Sequence, residues 1–155
     1  MDQNLLRSYI STVYELPAES GVLRVSLDGE IVKDPATLPP LLQTRFGIIT
    51  AYNPRSMLLP RKVNDLRHQV LRDLLVLGCY RVESCAGFDD EPEGTWREPA
   101  WLVHGIDRDE AIYFGRTFRQ NTIVFCRDAR PELIATDPTC DEIGRTYVGN
   151  WRIRQ

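Results

Sequence analysis

The stretch Arg45–Tyr52, RFGIITAY, constrains this chain more than any other: it is an almost uninterrupted apolar run, rich in β-branched residues, that Asn53-Pro54 brings to a stop. Side chains alternate between the two faces of a strand, so a run that is apolar on both must be covered on both. A layered fold of helix and sheet follows. Val63, Leu66, Val70, Leu74 and Leu77 recur at i, i+3, i+7, i+11 and i+14, which predicts a helix over 62–77 with Arg67 on its polar side and Gly78 as its C-terminal cap. The alternating CYRVESC (79–85) and the segment PAWLVHG (99–105) read as two strands joined by a long acidic tip. Asp107 can cap a helix over 108–119 with Ala111, Phe114, Gly115 and Phe118 inside, and NTIVFC (121–126) is a further strand.

The order strand, helix, strand, strand, helix, strand predicts an α+β fold with a ferredoxin-like split βαβ (βαββαβ) core over 45–126. Ahead of it, Leu5, Leu6, Tyr9, Ile10, Val13 and Tyr14 recur at helical spacing, so a helix is expected over 4–15, ended by Pro17 and Gly21. GVLRVSL-DG-EIV then reads as a hairpin turning at Asp28-Gly29, and KDPATLPPLL as a connector. Residues 4–44 are thus expected as an N-terminal helix and hairpin extension. Residues 127–155 are expected as a C-terminal extension, with short strands at 132–135 and 147–153. The 155 residues suit a single domain, whose core would bury about two-thirds of the unfolded surface.

Composition excludes more than it assigns. Hydrophobic residues at 43% and charged residues at 26% fit a globular chain. No apolar run approaches the roughly 20 residues of a membrane helix, and MDQNLLRSYI lacks the pattern of a secretory signal, so no membrane partner and a cytoplasmic location are expected. Only Lys33 and Lys62 are lysines among the 19 basic residues. A net charge of −3 makes nucleic acid an unexpected partner, with Arg116, Arg119, Arg127 and Arg130 as the residues that would carry such binding. Cys79, Cys85, Cys126 and Cys140 show no C-x-x-C spacing, and His68 and His104 lie far apart in sequence, so no zinc site is expected. The first three cysteines read as small buried hydrophobes. Asp89, Asp90, Glu91 and Glu93 match no calcium loop. No nucleotide-binding, metalloprotease or serine-hydrolase motif occurs, so the sequence names neither cofactor nor reaction.

The expected topology nevertheless gathers polar residues. Asn53 ends one strand, Asn64 and Arg67 begin the helix after it, Glu98 begins another strand, and Arg116 and Gln120 close the second helix. All six are expected along one edge of the sheet, with Trp96 and Trp101 flanking Glu98 as a stacking wall. Glu98 is the candidate catalytic residue, with a neighbouring arginine expected to lower its pKa and suit it to act as base or anchor. Asn53, Asn64, Arg67, Arg116 and Gln120 are the candidate ligand-binding residues, and no metal is expected. Arg55, Arg61 and Lys62 beside a helix N-terminus favour an anion. The expected ligand is small and polar or phosphorylated, nucleotide-like in character. The alternative is a protein-interaction or self-association module without catalysis, using an exposed edge strand and forming a homo-oligomer.

IITAYNP (48–54), Asn64 at a helix start, the W-x-E-P block Trp96–Pro99 and the FRQ of Phe118–Gln120 resemble the bacterial domain-of-unknown-function family numbered 3293. The resemblance covers roughly residues 45–126. Ala100 and Arg119 stand where that family favours Ser and Gly. The resemblance implies an uncharacterised bacterial cytoplasmic domain and supplies no catalytic residue, cofactor or partner.

Overall fold

The computed structural model describes residues 3–89, 96–137 and 145–154. In chain order the elements are α1 (Gln3–Ser11), β1 (Val13–Ala18), β2 (Gly21–Ser26), β3 (Phe46–Ile49), α2 (Arg61–Leu77), β4 (Arg81–Phe88), β5 (Arg97–His104), α3 (Arg108–Thr117), β6 (Thr122–Arg127), β7 (Arg130–Ala135), β8 (Thr146–Val148) and β9 (Arg152–Arg154). The nine strands form one sheet in the order β8-β7-β6-β3-β5-β4-β1-β2-β9. Every neighbouring pair in it is antiparallel.

This architecture replaces the ferredoxin-like core with its helix and hairpin extension: the sheet is continuous and curls strongly into a half-barrel. The expected strands and helices over 45–126 do occur in their expected order. What overturns the fold is the pairing beyond them. β1 joins β4 with Val13 opposite Phe88 and Tyr14 opposite Gly87, β2 adds to β1, and β7 continues the sheet from β6. These pairings span long sequence separations, and no local pattern announces them.

The alternation of RFGIITAY serves both faces. Phe46 and Ile48 point into the concave side, where they meet Leu16, Val25, Leu102, Val124 and Trp151. Leu38 and Leu42 of the proline-rich connector fill the same hollow, so that segment is a plug as well as a link. Ile49 points the other way and packs with Val103, Ile123 and Phe125 beneath Leu71 and Leu75 of α2 and Ala111 of α3.

Three local expectations are corrected. The helix over 4–15 ends at Ser11, and Val13 and Tyr14 belong to β1. Thr12 terminates the helix by turning its side-chain hydroxyl back to the Ser8 carbonyl at 2.8 Å. The first hairpin turns at Glu19-Ser20, with Ala18 opposite Gly21, and not at Asp28-Gly29. Gly29 instead allows close approach: a Cβ there would lie 2.3 Å from the Trp151 carbonyl oxygen. Finally, the apolar stripe of α2 is exposed, and its buried residues are Asn64, Leu71 and Leu75.

The curl brings the two ends of the strand order together. β8 lies at one edge and β9 at the other, yet only residues 149–151 separate them in the chain. Gly149 N–H donates to the Pro131 carbonyl at 2.9 Å, and Asn150 N–H donates to the Leu27 carbonyl at 3.1 Å. Gly149 and Asn150 together thus tie the β7 side to the β2 side, while Trp151 is buried and stacks on Phe46 at 6.0 Å.

Candidate functional site

At one end of the concave face the hydrophobic filling gives way to polar side chains. A cleft of about 160 Å³ opens there, with Ile48, Ala100 and Val124 as its floor. By the measure that allots about 10–15 Å³ to one water, this is room for a small molecule. Register explains the lining. Tyr14 of β1 lies opposite Gly87 of β4, and Gly87 lies opposite Glu98 of β5. The three therefore sit at one level on adjacent strands. Gly87 has no side chain between the other two, and a Cβ on it would meet Thr12 Cγ2 at 3.3 Å and the Tyr14 ring at 3.4 Å.

Two loops complete the mouth. Asn53, Arg55, Ser56 and Arg119 have φ of 44°, 52°, 60° and 57°, a left-handed conformation that non-glycine residues adopt at some expense. Arg55 N–H donates to the Arg119 carbonyl at 2.8 Å and locks the loops together. Asn121 Nδ2 donates to the Tyr9 hydroxyl and to Ser56 Oγ, each at 2.9 Å, joining α1 to both.

Of the six residues expected to gather, Asn53, Glu98 and Gln120 line the cleft. Asn64 and Arg67 stand behind it as supports. Asn64 Oδ1 accepts the Asn53 N–H at 2.9 Å, and its Nδ2 donates to Asn53 Oδ1 at 2.8 Å and to the Leu59 carbonyl at 3.2 Å. Arg67 donates from Nε to the Ala51 carbonyl at 2.8 Å and from Nη2 to the Phe118 carbonyl at 2.6 Å, clamping the end of the β3 strand region to the end of α3. Gln120 Nε2 donates to the Tyr52 carbonyl at 3.1 Å, spanning the same junction. Arg116 is exposed on the last turn of α3 and does not line the cleft.

The electrostatics of Glu98 reverse the expectation. Burial raises its pKa to about 7, and hydrogen bonds from the side chains of Thr50 and Asn53 pull the other way. No arginine or lysine lines the cleft among the described residues. Arg97, the neighbour in sequence, points to the opposite face and pairs with Glu15 at 2.8 Å. Burial also pushes the Tyr14 phenol up, with Tyr9 and Glu98 adding to it.

Trp96 lines the cleft, whereas Trp101 packs on the far face against His68, ring centroids 4.2 Å apart. Burial lowers the pKa of His68, and His104 lies 2.6 Å from Glu83. Cys85 and Cys126 are buried as expected, but Cys79 is exposed. No group of three or more metal-ligating side chains occurs among the described residues. Asp90, Glu91, Glu93 and Cys140 lie outside the described residues. The contributions of Tyr9, Tyr14, Thr50 and Gly87 were not anticipated. Period-two alternation in RFGIITAY places Thr50 with Ile48, but Tyr14 and Gly87 required the pairing of β1 with β4.

Residues 49–123 match the family described as "Protein of unknown function (DUF3293)". No curated protein and no solved structure matches the chain.

Proposed function

Residues 49–123 belong to the DUF3293 family, whose description assigns no activity, and from the geometry we propose that the cleft binds a small polar molecule, neutral or cationic and rich in hydrogen-bond donors, with Glu98 as its anchor. The observation that carries this reading is a partly buried carboxyl on the inner face of the sheet, faced by Tyr14, Thr50 and Asn53 and by no cation among the described lining residues. An ionised carboxylate there lacks both full hydration and a counter-charge, so a ligand bringing an ammonium group or several donors relieves it. Trp96 at the mouth offers a ring face to the rest of such a molecule.

The lining disfavours the phosphorylated ligand considered from sequence: a phosphate would meet a carboxylate and no arginine or lysine. A carboxyl with a pKa near neutrality is also suited to take a proton from a bound molecule or to return one. The test is a thermal-shift series of amines, amides, polyols and nucleosides, each beside its phosphorylated counterpart, on the parent protein and on Glu98→Gln. A non-phosphorylated compound is expected to raise the Tm by several degrees in the parent and by far less in the variant. No shift with any compound, or an equal shift in both proteins, sinks the reading.

A further inference from the structure

Helix α2 carries two stripes. Asn64, Leu71 and Leu75 are buried against the sheet. On its outer shoulder Val63, Leu66, Val70, Leu74 and Leu77 form a continuous apolar row, each between 40% and 79% exposed. Isolated apolar residues at a surface are ordinary, but an ordered row along a whole helix marks a contact surface.

The spacing of the row describes its partner. The steps are 3, 4, 4 and 3 residues, averaging the 3.5-residue period of a two-helix seam. They also read the same in both directions about Val70. A seam that is symmetric end to end fits its own copy running antiparallel, as a two-fold interface requires. Val70 then meets Val70 on the axis, Leu66 lies beside Leu74 of the second copy, and Val63 lies beside Leu77 of the second copy.

Charge agrees with this pairing. Arg61 and Lys62 occupy the positive N-terminal end of α2, where the first turn has no acidic residue, and the last turn has no basic one. Within one copy this arrangement opposes the helix dipole. The antiparallel pair sets Arg61 and Lys62 beside the carbonyl end of the second copy's helix, where cations are favoured. In area, the fractional exposures of the five side chains amount to a patch on the order of 500 Å². That is more than half of the roughly 800 Å² each partner contributes to a standard interface, before the flanking Gln69, Asp73 and Val76 are counted. We propose that the protein forms a two-fold dimer through antiparallel pairing of α2 along Val63, Leu66, Val70, Leu74 and Leu77.

Sedimentation equilibrium and cysteine cross-linking test this together. The parent protein is expected at twice the monomer mass at about 100 μM. Leu66→Lys with Val70→Lys is expected at the monomer mass with unchanged circular dichroism, since both positions are exposed in the single chain, and with a Tm that no longer rises with protein concentration as the parent's does. In a background of Cys79→Ser and Cys140→Ser, Val70→Cys is expected to oxidise to a disulfide dimer at least about ten times more than Val63→Cys, because only the axial position meets itself. A parent that stays monomeric at about 200 μM, a lysine double variant that stays dimeric, or equal cross-linking at positions 63 and 70 overturns the proposal.

Discussion

Glu98 holds a charge state that the fold sets. Its pKa is about 7 in the folded protein against 4.5 for the free carboxyl, burial being the main cause. Between those values the folded chain keeps a proton that the unfolded chain has released. Stability from this group therefore falls as pH rises from about 4.5 to 7, and the full penalty applies above that range. Glu98→Gln removes the ionisation while keeping shape. Urea unfolding is expected to find the variant about 1–3 kcal/mol more stable than the parent at pH 8 and nearly equal at pH 4; a difference independent of pH counts against the desolvated carboxyl. Gly87 makes a second residue-scale case. Gly87→Ala is expected to cost about 1 kcal/mol in the same measurement by pressing on Thr12 and the Tyr14 ring, and to weaken any ligand that stabilises the parent. Neither argument was available from sequence. Glu98 stands out as a carboxyl beside tryptophan and proline, and a neighbouring arginine is expected to lower its pKa; the structure leaves Arg116 outside the cleft, and Arg97 is next to Glu98 only in sequence. Adjacent strand residues point to opposite faces, and the sheet separates them.

At the scale of elements, the most informative one is α2. The periodicity establishes that a helix exists and that one side of it is apolar. It does not say which side the sheet takes, because a hydrophobic row suits a core and an interface equally. Here the shorter row at 64, 71 and 75 is buried, and a polar residue belongs to it because Asn64 closes the loop at Asn53 through three hydrogen bonds. Asn64→Ala is expected to cost about 2–4 kcal/mol, since it leaves the Asn53 N–H without its partner in a partly buried setting. Chemical denaturation measures this, and a loss below about 0.5 kcal/mol contradicts the closing role. Arg67→Lys tests the adjacent clamp. A lysine ammonium has no planar fork with which to reach Ala51 and Phe118 together, so a loss of about 1–2 kcal/mol is expected despite the retained charge. The helix at the N-terminus failed differently: Val13 and Tyr14 continue the spacing of α1, yet sheet pairing with Phe88 and Gly87 claims them. Tertiary contact overrides a local pattern at such a boundary.

For the whole molecule, the deciding feature is the return of the chain through residues 145–154. This segment adds a strand to each edge of the sheet and anchors the join with Trp151. Trp151→Ala is expected to cost about 3–5 kcal/mol, a loss typical of a large buried aromatic, and to loosen both edges at once. Hydrogen exchange provides the check: faster exchange at the amides of both residues 27–29 and residues 132–133 is the expected outcome, whereas an effect on one side alone would mean that the join does not hold the curl. Local patterns of residues are enough to read the elements from β3 to β6, the demand for cover on both faces of β3, and the meeting of Asn53, Glu98 and Gln120. Those follow from side-chain period, turn residues and the short reach of connections. Tertiary structure alone decided that the flanking segments extend one curled sheet, that Tyr14 faces Glu98 across Gly87, and which stripe of α2 is covered. Those depend on pairing between distant strands and on which surfaces compete for burial, and neither leaves a mark in any local window of sequence.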